Sequence, residues 1–189
     1  HYGIAIESGS KNNIVKNNVV NSNSEMGILI GRKSNGTIIE GNIVFGNDVG
    51  VDVSFCYYNI ISNNIIKANI EGGIDLYSSH YNIIENNNIM LNRYEGIRLD
   101  GHIEKPSIGN LIYHNNIIDN NIHASLQHPQ VWDDAIFSIV KNNWFNRSLL
   151  EGNYWSDYKG ADDGSGIGKH AIAGDGIGDT EIPHPDVGY

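Results

Sequence analysis

Gly27-Ile28-Leu29-Ile30, Gly50-Val51-Asp52-Val53, Gly73-Ile74-Asp75-Leu76 and Gly96-Ile97-Arg98-Leu99 repeat one pattern, glycine-apolar-X-apolar, at steps of 23 residues. Gly3-Ile4-Ala5-Ile6 precedes them by 24 residues. Two further patterns trail each copy. The first is Asn13-Ile14-Val15, Thr37-Ile38-Ile39, Asn59-Ile60-Ile61, Asn82-Ile83-Ile84 and Asn110-Leu111-Ile112. The second is Asn18-Val19, Asn42-Ile43, Asn64-Ile65, Asn88-Ile89 and Asn116-Ile117. Each period then reaches another asparagine: Asn23, Asn47, Asn69, Asn92, Asn121. A looser sixth turn runs from Ile122 through Ile139-Val140 to Asn143-Trp144.

Each period therefore holds three short runs rich in Ile and Val, which suit strands, separated by polar corners. The runs are too short, and too often broken by Asn and Gly, for helices. A period near 23 with three strands reads as a parallel β-helix, an all-β solenoid. Coils stack at about 4.8 Å, so about six of them make a rod about 30 Å long. Asparagine suits the corners because it tolerates the left-handed backbone and can ladder with its copy one coil away. Ile60 and Ile74 are expected inside, as is a column of Val19, Ile43, Ile65, Ile89 and Trp144, with Trp144 plugging the last coil. The coils occupy 1–150, and 151–189 forms a Gly/Asp-rich C-terminal cap segment of the same domain.

The length, 189 residues, fits one domain. Twelve Lys and Arg against 22 Asp and Glu give a net charge of -10, with no basic cluster, so a nucleic-acid partner is not expected. No apolar run is long enough to span a membrane. A single cysteine, Cys56, excludes a disulfide framework and multi-cysteine metal sites. No organic cofactor is expected. The start, His1-Tyr2-Gly3, lacks an initiator Met and a signal segment, and reads as the edge of a processed or excised piece. The first coil then needs a cover, from preceding chain or from another copy in an oligomer or fibre.

The tail carries Gly152-Asn153-Tyr154-Trp155-Ser156-Asp157-Tyr158 and Asp175-Gly176-Ile177-Gly178-Asp179-Thr180. With the coils, these motifs resemble the NosD-like right-handed β-helix proteins, also described as carbohydrate-binding and sugar-hydrolase domains. The resemblance covers essentially the whole chain. It implies a right-handed helix and a surface setting, since such modules are common in larger proteins of archaeal cell surfaces. It also implies a copper-handling accessory role as one alternative.

Four groups of residues are candidate sites. Asp157, Asp162, Asp163, Asp175, Asp179 and Glu181 lie among glycines, where carboxylate and carbonyl oxygens can converge on Ca²⁺. The X column, Ala5, Leu29, Asp52, Asp75, Arg98 and His123, should face solvent because side chains alternate. Two positions on stand Glu7, Gly31, Ser54, Tyr77, Asp100 and Ser125. Asp52 and Asp75 on adjacent coils approach the ~5 Å separation of a retaining glycosidase pair. A lyase or epimerase would instead use Arg98 to neutralise a uronate, with His123 or Tyr77 as base and Asp100 nearby. The same charges also fit a solvated face with cross-strand pairing. His102, His114, His123 and His128 could form a copper site, though no Met or Cys stands among them. Tyr154, Trp155 and Tyr158 pack the tail or stack on sugar rings. The sequons at Asn35 and Asn146 lean toward a secreted glycoprotein.

The function expected is a non-catalytic extracellular structural or carbohydrate-binding module of a larger cell-surface protein. Its partners would be glycans, other copies of itself or surface-layer proteins. The alternatives are a polysaccharide lyase, glycosidase or epimerase acting through the X column, and the copper-handling role.

Overall fold

The computed structural model describes residues 1–102, 105–127, 142–144, 148 and 153–156. Coil one holds β1 (Ile4–Ile6), β2 (Ile14–Lys16) and β3 (Val19–Asn21). Coil two holds β4 (Ile28–Gly31), β5 (Ile38–Glu40) and β6 (Ile43–Phe45). Coil three holds β7 (Val49–Ser54), β8 (Ile60–Ser62) and β9 (Ile65–Lys67). Coil four holds β10 (Gly72–Tyr77), β11 (Ile83–Glu85) and β12 (Asn88–Met90). Coil five holds β13 (Glu95–His102), β14 (Lys105–Pro106), β15 (Leu111–Tyr113) and β16 (Asn116–Ile118). The sixth is represented by β17 (Ile122–Gln127), a bridge from Asn143 to Leu111, and β18 (Tyr154–Trp155).

Each strand pairs in parallel with its copy one coil away, giving three sheets and a right-handed parallel β-helix. Sheet A stacks β1, β4, β7, β10, β13 and β17; sheet B stacks β2, β5, β8, β11 and β15; sheet C stacks β3, β6, β9, β12, β16 and β18. Between sheets A and B, coil five carries a small antiparallel hairpin, β13 against β14, pairing His102 with Lys105.

The interior is a continuous stack of aliphatic side chains. Sheet A contributes the pairs Ile28/Ile30, Val51/Val53, Ile74/Leu76 and Ile97/Leu99; sheet B contributes Val15, Ile39, Ile61, Ile84 and Ile112; sheet C contributes Val20, Val44, Ile66, Ile89 and Ile117. Ile74 is inside as expected. Ile60 is half-buried, and its neighbour Ile61 is the core residue. Val19 and Ile43 also point outward, and Val19 is 66% exposed. Of that expected column Ile89 is inside, because Asn88, not Ile89, pairs with Ile65, and Trp144 packs on the core end as expected. Trp144 follows the bridge residue Asn143 and so continues the sheet B column, whereas Trp155 pairs with Ile117 and continues that of sheet C. The two indoles lie 5.6 Å apart against the end of the core.

The corners work by two adjacent positions with separate tasks. The first takes the left-handed backbone: Asn17, Gly41, Asn63, Asn86 and His114 have φ between 56° and 66°. The second is the rung of a ladder: Asn18, Asn42, Asn64, Asn87, Asn115, Asn153. At Asn64, Oδ1 accepts from the backbone N–H and the side-chain amide of Asn42 at 2.8 and 3.0 Å. Its own amide reaches Asn87 Oδ1 at 2.9 Å. The ladder thus ties each corner to the next without water, which buried backbone polar groups require. Three sequence assignments shift by one: Asn87 and Asn115, rather than Asn88 and Asn116, are rungs, and Asn120 replaces Asn121.

A parallel ladder before sheet B, Asn13, Thr37, Asn59, Asn82, Asn110 and Asn142, has one imperfect rung. Thr37 occupies the place of an asparagine, so Asn13 Nδ2 has no acceptor and the buried Thr37 hydroxyl has no partner. Cys56 belongs to another ladder with Ser79 and Ser107: its N–H donates to Ser79 Oγ at 3.1 Å, and Ser79 N–H to Ser107 Oγ at 3.0 Å. Burial raises the thiol to about 11, so it is an inert rung.

The glycine that opens each sheet A strand is fixed by contact. A Cβ at Gly73 would stand 2.5 Å from Gly96 O and 2.8 Å from Ile89 Cγ2. Gly96 meets His123 O in the same way, so His123 stands in the glycine column of the sixth coil. Left-handed backbone costs an ordinary L-residue about 1–2 kcal/mol. The corner after sheet A nonetheless places Phe55, Tyr58 and Tyr81 there.

Candidate functional site

The outward column of sheet A is built as the sequence indicates through five coils. Asp75 pairs in register with Asp52 on one side and Arg98 on the other. Arg98 pairs next with Ser125, and Asp100 with Gln127. His123 and Ser125 are therefore both two positions from where the sequence reading put them. The sixth coil has slipped because His123, not Ile122 or Ala124, fills the glycine position.

The column does not face open water. Asp52 and Asp75 are each 5% exposed, and Leu29 is 7% exposed. Arg98 donates to a single oxygen of Asp75, from Nε at 3.0 Å and from Nη2. The other oxygen, Oδ1, is buried and without a hydrogen-bond partner. Ser54 donates to Asp52 Oδ1 at 2.7 Å. Burial pushes Asp52 up to about 7, against the Ser54 hydrogen bond, with Asp75 adding repulsion. Burial also raises Asp75, opposed by Arg98, and the bond to Asp75 holds Arg98 more firmly protonated. Glu95, 7% exposed, accepts from Ser125 Oγ at 3.4 Å. Tyr77 is half-buried, edge-on to Phe55 at 5.3 Å. Asp100 Oδ1 accepts from the N–H of Gly101 at 2.6 Å. The structure thus joins Asp52, Asp75 and Arg98, keeps Tyr77 and Asp100 two positions along the strand, and removes His123.

An open polar cleft of about 660 Å³ lies at the corner from sheet C to sheet A in coils four to six. Asn92, Arg93, Tyr94, Asp119, Asn120, Asn121, His123 and Ser156 line it. Arg93 and Tyr94 sit just before β13, and Asp119 to Asn121 just before β17. Arg93 places its guanidinium 6.0 Å from the Tyr94 ring, itself 46% exposed. His123 Nε2 meets Ser156 Oγ at 2.7 Å. The N–H of Asp119 donates to the same oxygen at 2.8 Å. Buried rungs Asn92 and Asn120 form its floor. The sequence reading missed Arg93, Tyr94, Asp119 and Ser156. Their only signal was position: polar residues crowding the corner of the last coils.

The other expected sites fare differently. His102 and His114 are exposed, on the β13–β14 hairpin and at a sheet B–C corner, whereas His123 is buried at a different corner. Among the described residues no three His, Cys, Asp or Glu side chains gather as a metal site. His128, the calcium candidates Asp157, Asp162, Asp163, Asp175, Asp179 and Glu181, the sequon residue Asn146, and Tyr158 lie outside the described residues. Asn35 is half-buried, and its Oδ1 accepts from Tyr57 N–H at 2.9 Å. Tyr154 is 52% exposed. Trp155 packs on the core end, so its ring is not a free sugar platform.

Fold and ladders define a parallel β-helix module. The family model described as periplasmic copper-binding protein (NosD) matches residues 1–160, and the chain belongs to that family. No curated protein matches it significantly. Among solved structures, the periplasmic alginate epimerase AlgG aligns with TM-score 0.52 at 20% identity, over 68% of this chain and 36% of that one. A mutant form of AlgG gives TM-score 0.52 at 21% identity, over 69% of this chain. The A-module of the mannuronan C-5 epimerase AlgE4 from Azotobacter vinelandii aligns with TM-score 0.46 at 19% identity, over 70% of this chain and 46% of that one. The AlgG likeness shows the fold, and the chain spans about a third of AlgG's length.

Proposed function

We propose that the chain is a carbohydrate-binding β-helix module that acts without catalysis, outside the cytoplasm, within a larger surface protein. The observation that carries this reading is the open cleft. An exposed tyrosine ring flanked by Arg93, beside Asp119, Asn121 and Ser156, offers an apolar face and hydrogen-bonding groups of both kinds. A sugar presents the matching surface, with C–H faces and a rim of hydroxyls. The carboxylates of sheet A, by contrast, are closed off and one is held by Arg98. The periplasmic description of the family and the AlgG likeness agree with a setting outside the cytoplasm.

Titration calorimetry of the chain with cellohexaose and hexamannuronate tests the reading. At least one should bind, and Tyr94→Ala with Arg93→Gln should weaken it about tenfold. No binding of either sugar would count against it.

One observation favours an enzyme as the second reading: Asp52 and Asp75 stand in register on adjacent coils next to Arg98, and burial raises both carboxyls. Turnover of either sugar, lost in Asp52→Asn, would establish it. Copper handling fits the described residues poorly, since the histidines occupy separate corners and Cys56 is a buried rung. Calcium at the tail carboxylates, and end-to-end association of coils, remain part of the proposal.

A further inference from the structure

The corner that follows sheet A carries aromatic side chains on two successive coils. Phe55, Tyr57 and Tyr58 follow β7; Tyr77 closes β10, and His80 and Tyr81 follow it. The rings match across the coil step. Tyr58 and Tyr81 stack with centroids 5.5 Å apart and planes at 13°. Tyr57 and His80 stack at 5.1 Å and 26°. Tyr58 is 65% exposed, Tyr81 50% and Phe55 46%.

Folding alone does not account for this edge. Tyr58 and Tyr81 hold φ of 58° and 55°, the left-handed backbone, at a position filled by Asn12, Gly36 and Gly109 in the coils on either side. Asparagine and glycine meet that backbone with less strain. The rings point away from the core, so their size adds nothing to the interior. Strained, solvent-facing aromatic residues are the kind of departure that marks a binding surface. Room is also made for them: a Cβ at Gly109 would stand 2.6 Å from Tyr81 Cε1, whereas the nearest atoms to one at Gly36 belong to Asn12. Tyr58 is therefore the open end of the stack.

We infer that this edge is a second carbohydrate contact, taking a sugar ring of a glycan on the face of Tyr58 turned away from Tyr81, with Tyr81 bracing that ring from behind. Tyrosine supplies an apolar ring and a hydroxyl at low conformational cost, as contact with a polyhydroxylated chain requires. The edge lies at the strand ends of sheet A, opposite the strand starts that border the cleft, so the two surfaces are separable by mutation. This inference rests on the carbohydrate-binding reading above.

The test is a paired measurement on Tyr58→Asn/Tyr81→Asn in the full chain, which installs the residue coil one already uses at this position. Calorimetry with cellohexaose and hexamannuronate should show affinity for the bound sugar falling at least tenfold. The melting temperature should hold or rise, because the backbone strain is relieved. If the native chain binds and the double variant binds equally well, the inference fails and the carbohydrate reading stands. If the native chain binds neither sugar, both fail. A lower melting temperature in the variant makes the stack a structural brace and overturns the inference. Loss of native self-association in the variant, seen by sedimentation, assigns the edge to a second copy and overturns it as well.

Discussion

Arg98 binds one oxygen of Asp75 with two of its nitrogens, while Asp52, the register neighbour of Asp75 one coil back, takes its hydrogen bond from Ser54. Two aspartates at equivalent positions on adjacent coils thus live in different electrostatic surroundings. One is a charged partner. The other is held near neutrality by burial and by the charge beside it.

The first prediction concerns pH. Asp52 lies at about 7 in the folded chain against an ordinary value of 3.8, so between these the folded state holds a proton that the unfolded state releases. The stabilisation from this group is full below about 4 and lost as pH rises through about 7. Asp52→Asn keeps an acceptor for Ser54 and removes the titration. It should raise the melting temperature at pH 8, with a stability gain of at most about 4 kcal/mol, and change little at pH 4. Melts across that range check it. Equal effects at both ends would show that Asp52 is not the titrating group.

Asp75→Asn should act in the opposite direction. It leaves the Arg98 guanidinium, 26% exposed, without its carboxylate. A cost of about 1–3 kcal/mol is expected, below that of a fully buried pair because water reaches Arg98. Urea denaturation at pH 8 measures it, and a neutral outcome would mean that the pair is merely apposed.

The core register gives a sharper contrast within one strand. Ile61→Ala empties a fully buried site and should cost about 2–5 kcal/mol. Ile60→Ala, one residue away and half-buried, should cost less than about 1–2 kcal/mol. Equal losses in chemical denaturation would contradict the assignment of inward and outward faces.

The defective rung offers a gain. Thr37→Asn supplies the missing acceptor for Asn13 Nδ2 and removes a buried hydroxyl that has no partner. An added stability of about 1 kcal/mol is expected, near the net value of one hydrogen bond. Asn64→Ala, which breaks a complete rung, should lose several times as much. The melting temperatures of the two variants should move in opposite directions.

Sequence periodicity was enough for the coils, because glycine and isoleucine are forced to recur by close backbone approach and by stacking. It was less informative within each corner. Runs such as Asn86-Asn87-Asn88 and Asn120-Asn121 offer the same side chain at successive positions, and only backbone conformation decides which is the rung. Doubled aliphatics such as Ile60-Ile61 hide the register for the same reason. In the sixth coil, His123 replaces the glycine that would have marked the frame, so the column slipped by two. The Asp52–Asp75–Arg98 contact was legible from spacing, but its burial was not, since alternation gives the side-chain direction and says nothing of what lies over it. The aromatic edge left no periodic signal, because it occupies two coils only.

The direct measurement is calorimetric titration of the chain with cellohexaose and hexamannuronate, followed by mass spectrometry and proton NMR of the sugar recovered from the cell. Carbohydrate binding without catalysis predicts saturable heat for at least one sugar and its recovery with unchanged length, mass and ring configuration. Absence of heat with both, or recovery of shortened, unsaturated or epimerised products, would contradict it.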